Sequence, residues 1–280
     1  MKIRMLGSGG TIPIPKPLCF CKICEEARNK GYPYKRCGPA IFIEDINLLI
    51  DTPPQIFESL NHSKIKEIDY LMYTHLDPDH FDGNSALVSM YLDGTKYCYK
   101  ASKTIELLVP QKIDEQLKKI TNQYGSLFDF YVSHNIVTKK VFSEIEIKKI
   151  KIIPIFVKDN PANAYIYLIV DKNGKRVLYA PCDIKPFPYH SKEVFDVDLL
   201  IIQPGFFESG LKNNFVYPKD NPTRKELYSY EQTLEIAKKI RAKKILFTHL
   251  EEYWNRGFED YKKLEKDNVE FAFDNMLINL

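Results

Sequence analysis

At 280 residues, with 44% apolar and 13% aromatic side chains, the chain has the composition of a packed globular protein and not of a disordered one. With 40 basic and 37 acidic residues the net charge is +3, too balanced by itself to argue for a nucleic acid partner. No apolar run reaches the roughly 18 residues of a membrane span, and residues 1–10 lack the apolar stretch of a secretory signal, so no membrane contact and a cytoplasmic location are expected.

No repeat, low-complexity block or linker divides the sequence, which predicts a single domain over residues 1–280. Residues 1–6 read as a strand, with a tight turn after it at Gly7-Ser8-Gly9-Gly10. Residues 40–50 read as two strands turning near Glu44-Asp45-Ile46-Asn47, and residues 68–74 as a short apolar strand that ends at His75. Ile105, Leu108, Ile113, Leu117 and Ile120 recur at helical spacing, predicting a helix over 102–120. Residues 128–137 and 141–155 read as successive strands. Residues 164–170 and 176–180 flank Asp171-Lys172-Asn173-Gly174, which carries the Asn-Gly hairpin signal. A buried strand is expected at 198–203, and an amphipathic helix at 229–241, where Ser229 and Gln232 fit a capping box. A strand over 245–248 ends at His249, a last helix covers 258–266, and 269–280 is strand-like. The pattern is α+β, and several strands run straight into polar clusters. Strand ends of this kind carry ligand sites, because the strand fixes the backbone while the loop stays free.

Two clusters carry chemistry. Thr74-His75-Leu76-Asp77-Pro78-Asp79-His80-Phe81-Asp82-Gly83 places four potential ligands, His75, Asp77, Asp79 and His80, within six residues just after an apolar strand. Mixed nitrogen and oxygen donors of this kind suit Zn, Mn or Fe. The plain alternative is a solvated acidic loop, but two of the chain's six histidines fall in this run. The second cluster is Cys19-Phe20-Cys21-Lys22-Ile23-Cys24, whose three thiolates suit a closed tetrahedral zinc in a reducing compartment. Tyr32, Tyr34, Tyr91, Tyr97 and Tyr99 read as packing rather than as a substrate-stacking surface.

The first run resembles the His-x-His-x-Asp-His motif of the metallo-β-lactamase superfamily, with Asp77 in place of the second histidine. The resemblance extends over nearly the whole chain. Met5-Leu6-Gly7-Ser8-Gly9-Gly10-Thr11 looks like the first strand and glycine turn, Leu49-Ile50-Asp51-Thr52 like the strand-then-Asp element, and Phe247-Thr248-His249 like the last ligand histidine. Leu178-Tyr179-Ala180-Pro181-Cys182-Asp183 sits where the family places its bridging aspartate. The resemblance therefore implies a four-layer αββα sandwich. It implies one metal position with Asp79, His80 and His249, another with His75 and Asp77, and Asp183 bridging them. The family supplies a further histidine where this chain reads Ile153-Pro154-Ile155-Phe156-Val157-Lys158-Asp159-Asn160-Pro161, so one or two Zn, Mn or Fe ions are expected. Asp159 is the candidate replacement ligand there, and Lys158 a candidate contact for a substrate phosphate.

The cysteine triplet resembles the structural zinc site of one branch, which contains the phosphodiesterase of phosphonate catabolism and the B protein of pyrroloquinoline quinone biosynthesis. In that branch a histidine completes the site, at the position of Leu227 here, leaving Cys37 or Glu226 as candidates for the fourth ligand. The branch often forms dimers, and the expectation of a homodimer rests on the resemblance alone. The function implied is a hydrolase, a phosphodiesterase acting on a small, cyclic or linear, phosphoester through metal-activated water, with Asp79 or Asp183 orienting the nucleophile. A non-haem iron oxygenase is the alternative, because Asp79, His80 and His249 form a two-histidine, one-carboxylate set. A tRNA 3′-processing nuclease and a scaffold with a degenerate metal site are weaker readings. The chain has no large basic insertion to clamp RNA, but it lacks two of the family's histidines.

Overall fold

The structure, a computed structural model, describes residues 1–92, 95 and 101–280; Tyr97, Cys98 and Tyr99 lie outside the described residues. Two seven-stranded sheets form the centre. In spatial order the first comprises Met276–Asn279, Lys2–Gly7, Ala40–Ile43, Leu48–Ile50, Tyr70–Met72, Ile105–Val109 and Val137–Val141. The second comprises Val269–Phe271, Lys244–Phe247, Leu199–Ile202, Arg176–Ala180, Tyr165–Val170, Ile150–Phe156 and Ile145–Ile147.

Period-two alternation in the second sheet sorts its side chains into two cores. Tyr167, Ile169, Val177, Tyr179, Leu199 and Ile201 join the first sheet in one buried cluster. Their neighbours Ile166, Leu168, Leu178, Leu200 and Ile202 join a second cluster with Ile236, Ala237 and Tyr261 from the helices Tyr230–Lys239 and Phe258–Lys262. Helices Ile56–Ser63, Gln111–Leu117 and Leu127–Ser133 contribute Ile56, Ile113, Leu117 and Phe128 to the first cluster. The order of layers is therefore helix, sheet, sheet, helix. Among the described residues no helix is long and apolar enough to cross a membrane.

Most elements fall where the sequence places them, including the antiparallel hairpin across Asp171–Lys175 and the complete capping box at Ser229 and Gln232. Three expectations are overturned, the first in that residues 141–155 are not one strand but hold the antiparallel pair Ile145–Ile147 and Ile150–Phe156. Residues 102–120 are not one helix: Ile105–Val109 is a strand, and Pro110 starts the helix Gln111–Leu117. A central strand buried on both faces is a continuous apolar run, and the run 105–109 mimics helical spacing when joined to the helix that follows. Residues 128–137 are not a strand either. Leu127–Ser133 is a helix capped by Ser126, whose hydroxyl accepts from Asp129 N at 3.3 Å. The closing segment divides between the sheets, Val269–Phe271 in the second and Met276–Asn279 in the first.

Leu48–Ile50, Tyr70–Met72 and Ile105–Val109 run parallel, as do Arg176–Ala180, Leu199–Ile202 and Lys244–Phe247. Their C-terminal ends release Asp51, His75, Asp183, Gln203 and His249. Chain direction in both sheets therefore concentrates polar groups at strand ends.

Candidate metal centre

The short helix Pro78–Phe81 begins after Asp77, with Pro78 at its first position, where a missing N–H is harmless. Asp77 caps nothing with its side chain, so its carboxylate stays available. The helix presents Asp79 and His80 inward, both buried. Three residues of the centre, Asp51, Asp183 and His249, adopt φ angles of 69°, 51° and 60°. Non-glycine residues rarely take this left-handed region, and strain of this kind concentrates at functional sites.

The residues form two adjoining sets. His75, Asp77 and Asp183 offer ligand atoms all within 4.8 Å of one another, and so do Asp79, His80 and His249. His75 Nε2 lies 3.2 Å from Asp183 Oδ2, and His249 Nε2 lies 3.1 Å from Asp79 Oδ2. The rings of His75 and His80 are 4.0 Å apart between centroids, so the sets touch.

A chain of hydrogen bonds beneath them decides which ring nitrogens are free. Asp51, fully buried, can only accept. It receives Thr74 N at 2.7 Å, Thr74 Oγ1 at 2.8 Å and His80 Nδ1 at 2.9 Å. With its hydroxyl hydrogen committed to Asp51, Thr74 Oγ1 accepts from His75 Nδ1 at 3.0 Å. In its neutral form each imidazole therefore carries its proton on Nδ1 and turns its Nε2 lone pair to the centre. Among the described residues both Nε2 atoms are buried without a hydrogen bond of good geometry, His75 Nε2 meeting the Asp183 carboxylate as a close ionic neighbour. Buried polar atoms are rarely left so, and two imidazole lone pairs beside three carboxylates fit a divalent cation.

The electrostatics agree. Burial pushes the Asp183 carboxyl up, but His75 outweighs it and holds the group at about 2. Burial opposes the charged form of His249, yet its hydrogen bond to Asp79 and the charge of Glu251 raise it to about 9. Asp79 falls well below the carboxylate range, the hydrogen bond from His249 leading the effects that overcome burial. Asp79 and Asp183 are thus held ionised and would exchange the shared protons for a cation, whereas burial pushes Asp77 and Glu251 up.

A β-lactamase superfamily domain profile matches residues 46–250, and this span contains both ligand sets. The chain belongs to the β-lactamase superfamily. Its fold matches a diphosphatase of the PhnP family (21% identity, TM-score 0.72), covering 100% of this chain and 97% of that one. It matches Zn²⁺-bound PqqB from Methylobacterium extorquens at 15% identity and a TM-score of 0.74, with 100% of both chains covered. Human tRNase Z, short form, follows at 17% identity and a TM-score of 0.61, covering 100% of this chain and 99% of that one. No curated protein sequence matches the chain.

The superfamily centre opens into a cleft of about 840 Å³. Six carboxylates line it, Asp77, Asp79, Asp159, Asp183, Glu226 and Glu251, against the cations Lys185 and Lys225. Lys185 is tied to the carbonyls of Arg224 and Leu227 at 2.7 and 3.0 Å, whereas Lys225 has no partner among the described residues. Lys158 is exposed and is not among the lining side chains, whereas Lys225 is. Asp159 lines the cleft but joins neither ligand set.

Cys19, Cys21 and Cys24 come together, and the fourth group beside them is Glu252, all within 4.8 Å. The candidates read from sequence stand elsewhere. Cys37 is buried against the Tyr32 hydroxyl at 3.4 Å, and Glu226 lines the cleft. Glu252 lies more than 220 residues from the triplet in sequence, so no local spacing could pair them. Asp51 and Thr74 were visible as motif residues, but their role in fixing two tautomers appears only in three dimensions. Cys182 was missed as well: its thiol lies within 4.8 Å of ring nitrogens of both His75 and His80.

Proposed function

We propose that the chain is a metal-dependent hydrolase that cleaves a small phosphodiester. One observation carries this reading: two carboxylate–imidazole sets adjoin, and Asp77, Asp79, Asp183 and His249 from them line a single cleft together with Lys225. His75, Asp77 and Asp183 would hold one divalent ion and Asp79, His80 and His249 a second. A cation there supplies Lewis acidity, lowering the pKa of water and drawing charge from phosphoryl oxygens. Six carboxylates against two lysines repel a phosphate, so cation binding is also what makes the cleft attractive to an anion. Asp51 and Thr74 keep both Nε2 lone pairs inward, and Thr11 Oγ1 donates to Asp79 Oδ2 at 3.1 Å, fixing that carboxylate. Lys225, which lines the same cleft, would bind a substrate oxygen. Hydrolytic chemistry is the common property of most of the superfamily, and one structural neighbour is a diphosphatase of the PhnP family.

Cys19, Cys21, Cys24 and Glu252 would hold a separate structural zinc. Three thiolates and a carboxylate around Zn²⁺ leave two negative charges. Lys212, 3.0 Å from Cys19 Sγ and ion-paired with Glu252, offsets one of them.

The test is to strip the protein with chelator, reload Zn²⁺ or Mn²⁺, and assay small cyclic and linear phosphodiesters, diphosphates and a precursor tRNA. Metal-restored cleavage of the small phosphodiesters is expected, abolished in Asp183→Asn and with a raised KM in Lys225→Ala. Tightly held iron with substrate-dependent oxygen uptake would replace this reading with the oxygenase one. Cleavage of the RNA alone would replace it with the nuclease.

A further inference from the structure

The superfamily histidine missing between residues 153 and 161 leaves the first ligand set short of a donor. The segment that would carry it does something else here. Asn160 commits both amide hydrogens to the carbonyls of Asp183 and Lys185, at 3.0 and 3.1 Å, while its Oδ1 accepts from Ala162 N at 2.9 Å. It therefore clamps the loop after strand Arg176–Ala180 instead of offering a ligand. That loop delivers Cys182 along with Asp183. The Cys182 thiol stands 3.2 Å from Asp183 Oδ2 and lines the cleft. It also lies within 4.8 Å of ring nitrogens of His75 and His80, the two imidazoles whose buried Nε2 atoms lack, among the described residues, a hydrogen bond of good geometry. His62, His134 and His190 are not in this group: His62 stacks on Tyr32, and His134 bonds the Phe130 carbonyl.

We propose that Cys182 Sγ is a ligand of the active-centre metal, supplying beside His75 and Asp183 the donor that the absent histidine does not. This rests on the reading that a cation occupies that centre. A sulfur donor makes the first position softer than the all-nitrogen-and-oxygen set of the superfamily motif. It shifts preference toward Zn²⁺, Co²⁺ and Cd²⁺ and away from Mn²⁺ and Mg²⁺. The clamp at Asn160 then positions the cysteine as well as the aspartate.

Cadmium NMR of the full chain separates the two sites, because each coordinating thiolate moves the ¹¹³Cd resonance downfield. Loaded with ¹¹³Cd²⁺, the wild type should give a far-downfield signal from the Cys19, Cys21 and Cys24 site and a less shifted one from the active centre. In Cys182→Ser and Cys182→Ala the active-centre signal should move upfield while the triplet signal stays in place, which also reports that the variants are folded. In a parallel competition, zinc should lose its advantage over manganese in both variants. An active-centre signal unmoved by either substitution overturns the proposal while leaving the metal reading intact. Absence of any cadmium beyond the triplet in the wild type overturns the metal reading and this proposal with it.

Discussion

Asp51→Asn isolates the hydrogen-bond chain beneath the centre. Asp51 is fully buried and accepts three hydrogen bonds, from Thr74 N, Thr74 Oγ1 and His80 Nδ1. Asparagine tolerates the left-handed φ of 69° at this position, so the backbone is retained. Its NH₂ group must nevertheless face a donor. Turned to His80, it makes Nδ1 the acceptor and moves the ring proton to Nε2, the atom that would bind the cation. Loss of such an outer partner lowers metal affinity by about 10–100-fold, or roughly 1.4–2.7 kcal/mol. Leaving one buried donor unsatisfied destabilises the fold by a further ~1–3 kcal/mol, against a typical domain stability of about 5–15 kcal/mol, so the variant stays folded. Zinc affinity read by competition with a chromophoric chelator, alongside circular dichroism, checks this. A folded Asp51→Asn protein that binds zinc as tightly as the wild type would refute the tautomer argument. Thr74→Val should weaken binding through His75 by the same logic.

Three further outcomes are expected. Glu252→Gln should lose one tightly held zinc per chain on dialysis against chelator, measured by elemental mass spectrometry, while Lys212→Met should keep it. Equal zinc retention in Glu252→Gln and wild type would reduce the carboxylate to a partner of Lys212. Gly10→Ala places a methyl 2.1 Å from Glu251 Oε1 and 2.6 Å from His249 Nδ1. Overpacking of this kind costs about 1–3 kcal/mol, so the substitution should lower the melting temperature and weaken metal binding together. Burial raises the Asp198 carboxyl, but Lys243, Arg176 N and Lys175 outweigh that and hold it at about 2, below the ordinary 3.8. A depressed acid stabilises above 3.8 and loses its contribution as pH falls toward 2. Urea melts should therefore show Asp198→Asn less stable than wild type at pH 7, with the gap closing between pH 4 and pH 2.

What the sequence discloses follows how local the determining physics is. The His75–His80 run is legible because a strand, a proline-started turn and four donors are contiguous. The hairpin at Asn173-Gly174 and the cap at Ser229 are legible for the same reason. The Ser126 cap, with Asp129 three residues on, was an equally local signal, but alternating Phe128, Phe130 and Val132 mask it. Glu252 and Glu251 are indistinguishable in sequence, and only the fold sends one to the thiolates and the other to His249. Lys158 and Lys225 are likewise alike in sequence, and only the fold brings Lys225 to the cleft and leaves Lys158 outside it.

That divergence between adjacent glutamates ties the two candidate metal sites together. Leu250 N bonds Ser8 O at 2.9 Å, holding the His249–Glu252 segment against the first glycine turn. Glu251 accepts the amides of Thr11 and Ile12 at 2.9 and 3.0 Å and faces His249 Nδ1 at 3.5 Å. Thr11 in turn bonds Asp79. Glu252, next in the chain, reaches the triplet, which lies only a few residues beyond Thr11 and Ile12. The segment is therefore fixed at both ends, and between them His249 is held at a φ that an unsupported histidine avoids. A zinc bound by Cys19, Cys21, Cys24 and Glu252 would close this circuit from outside the cleft. Its loss would then be felt first as a loosened His249, before any change in the sheets.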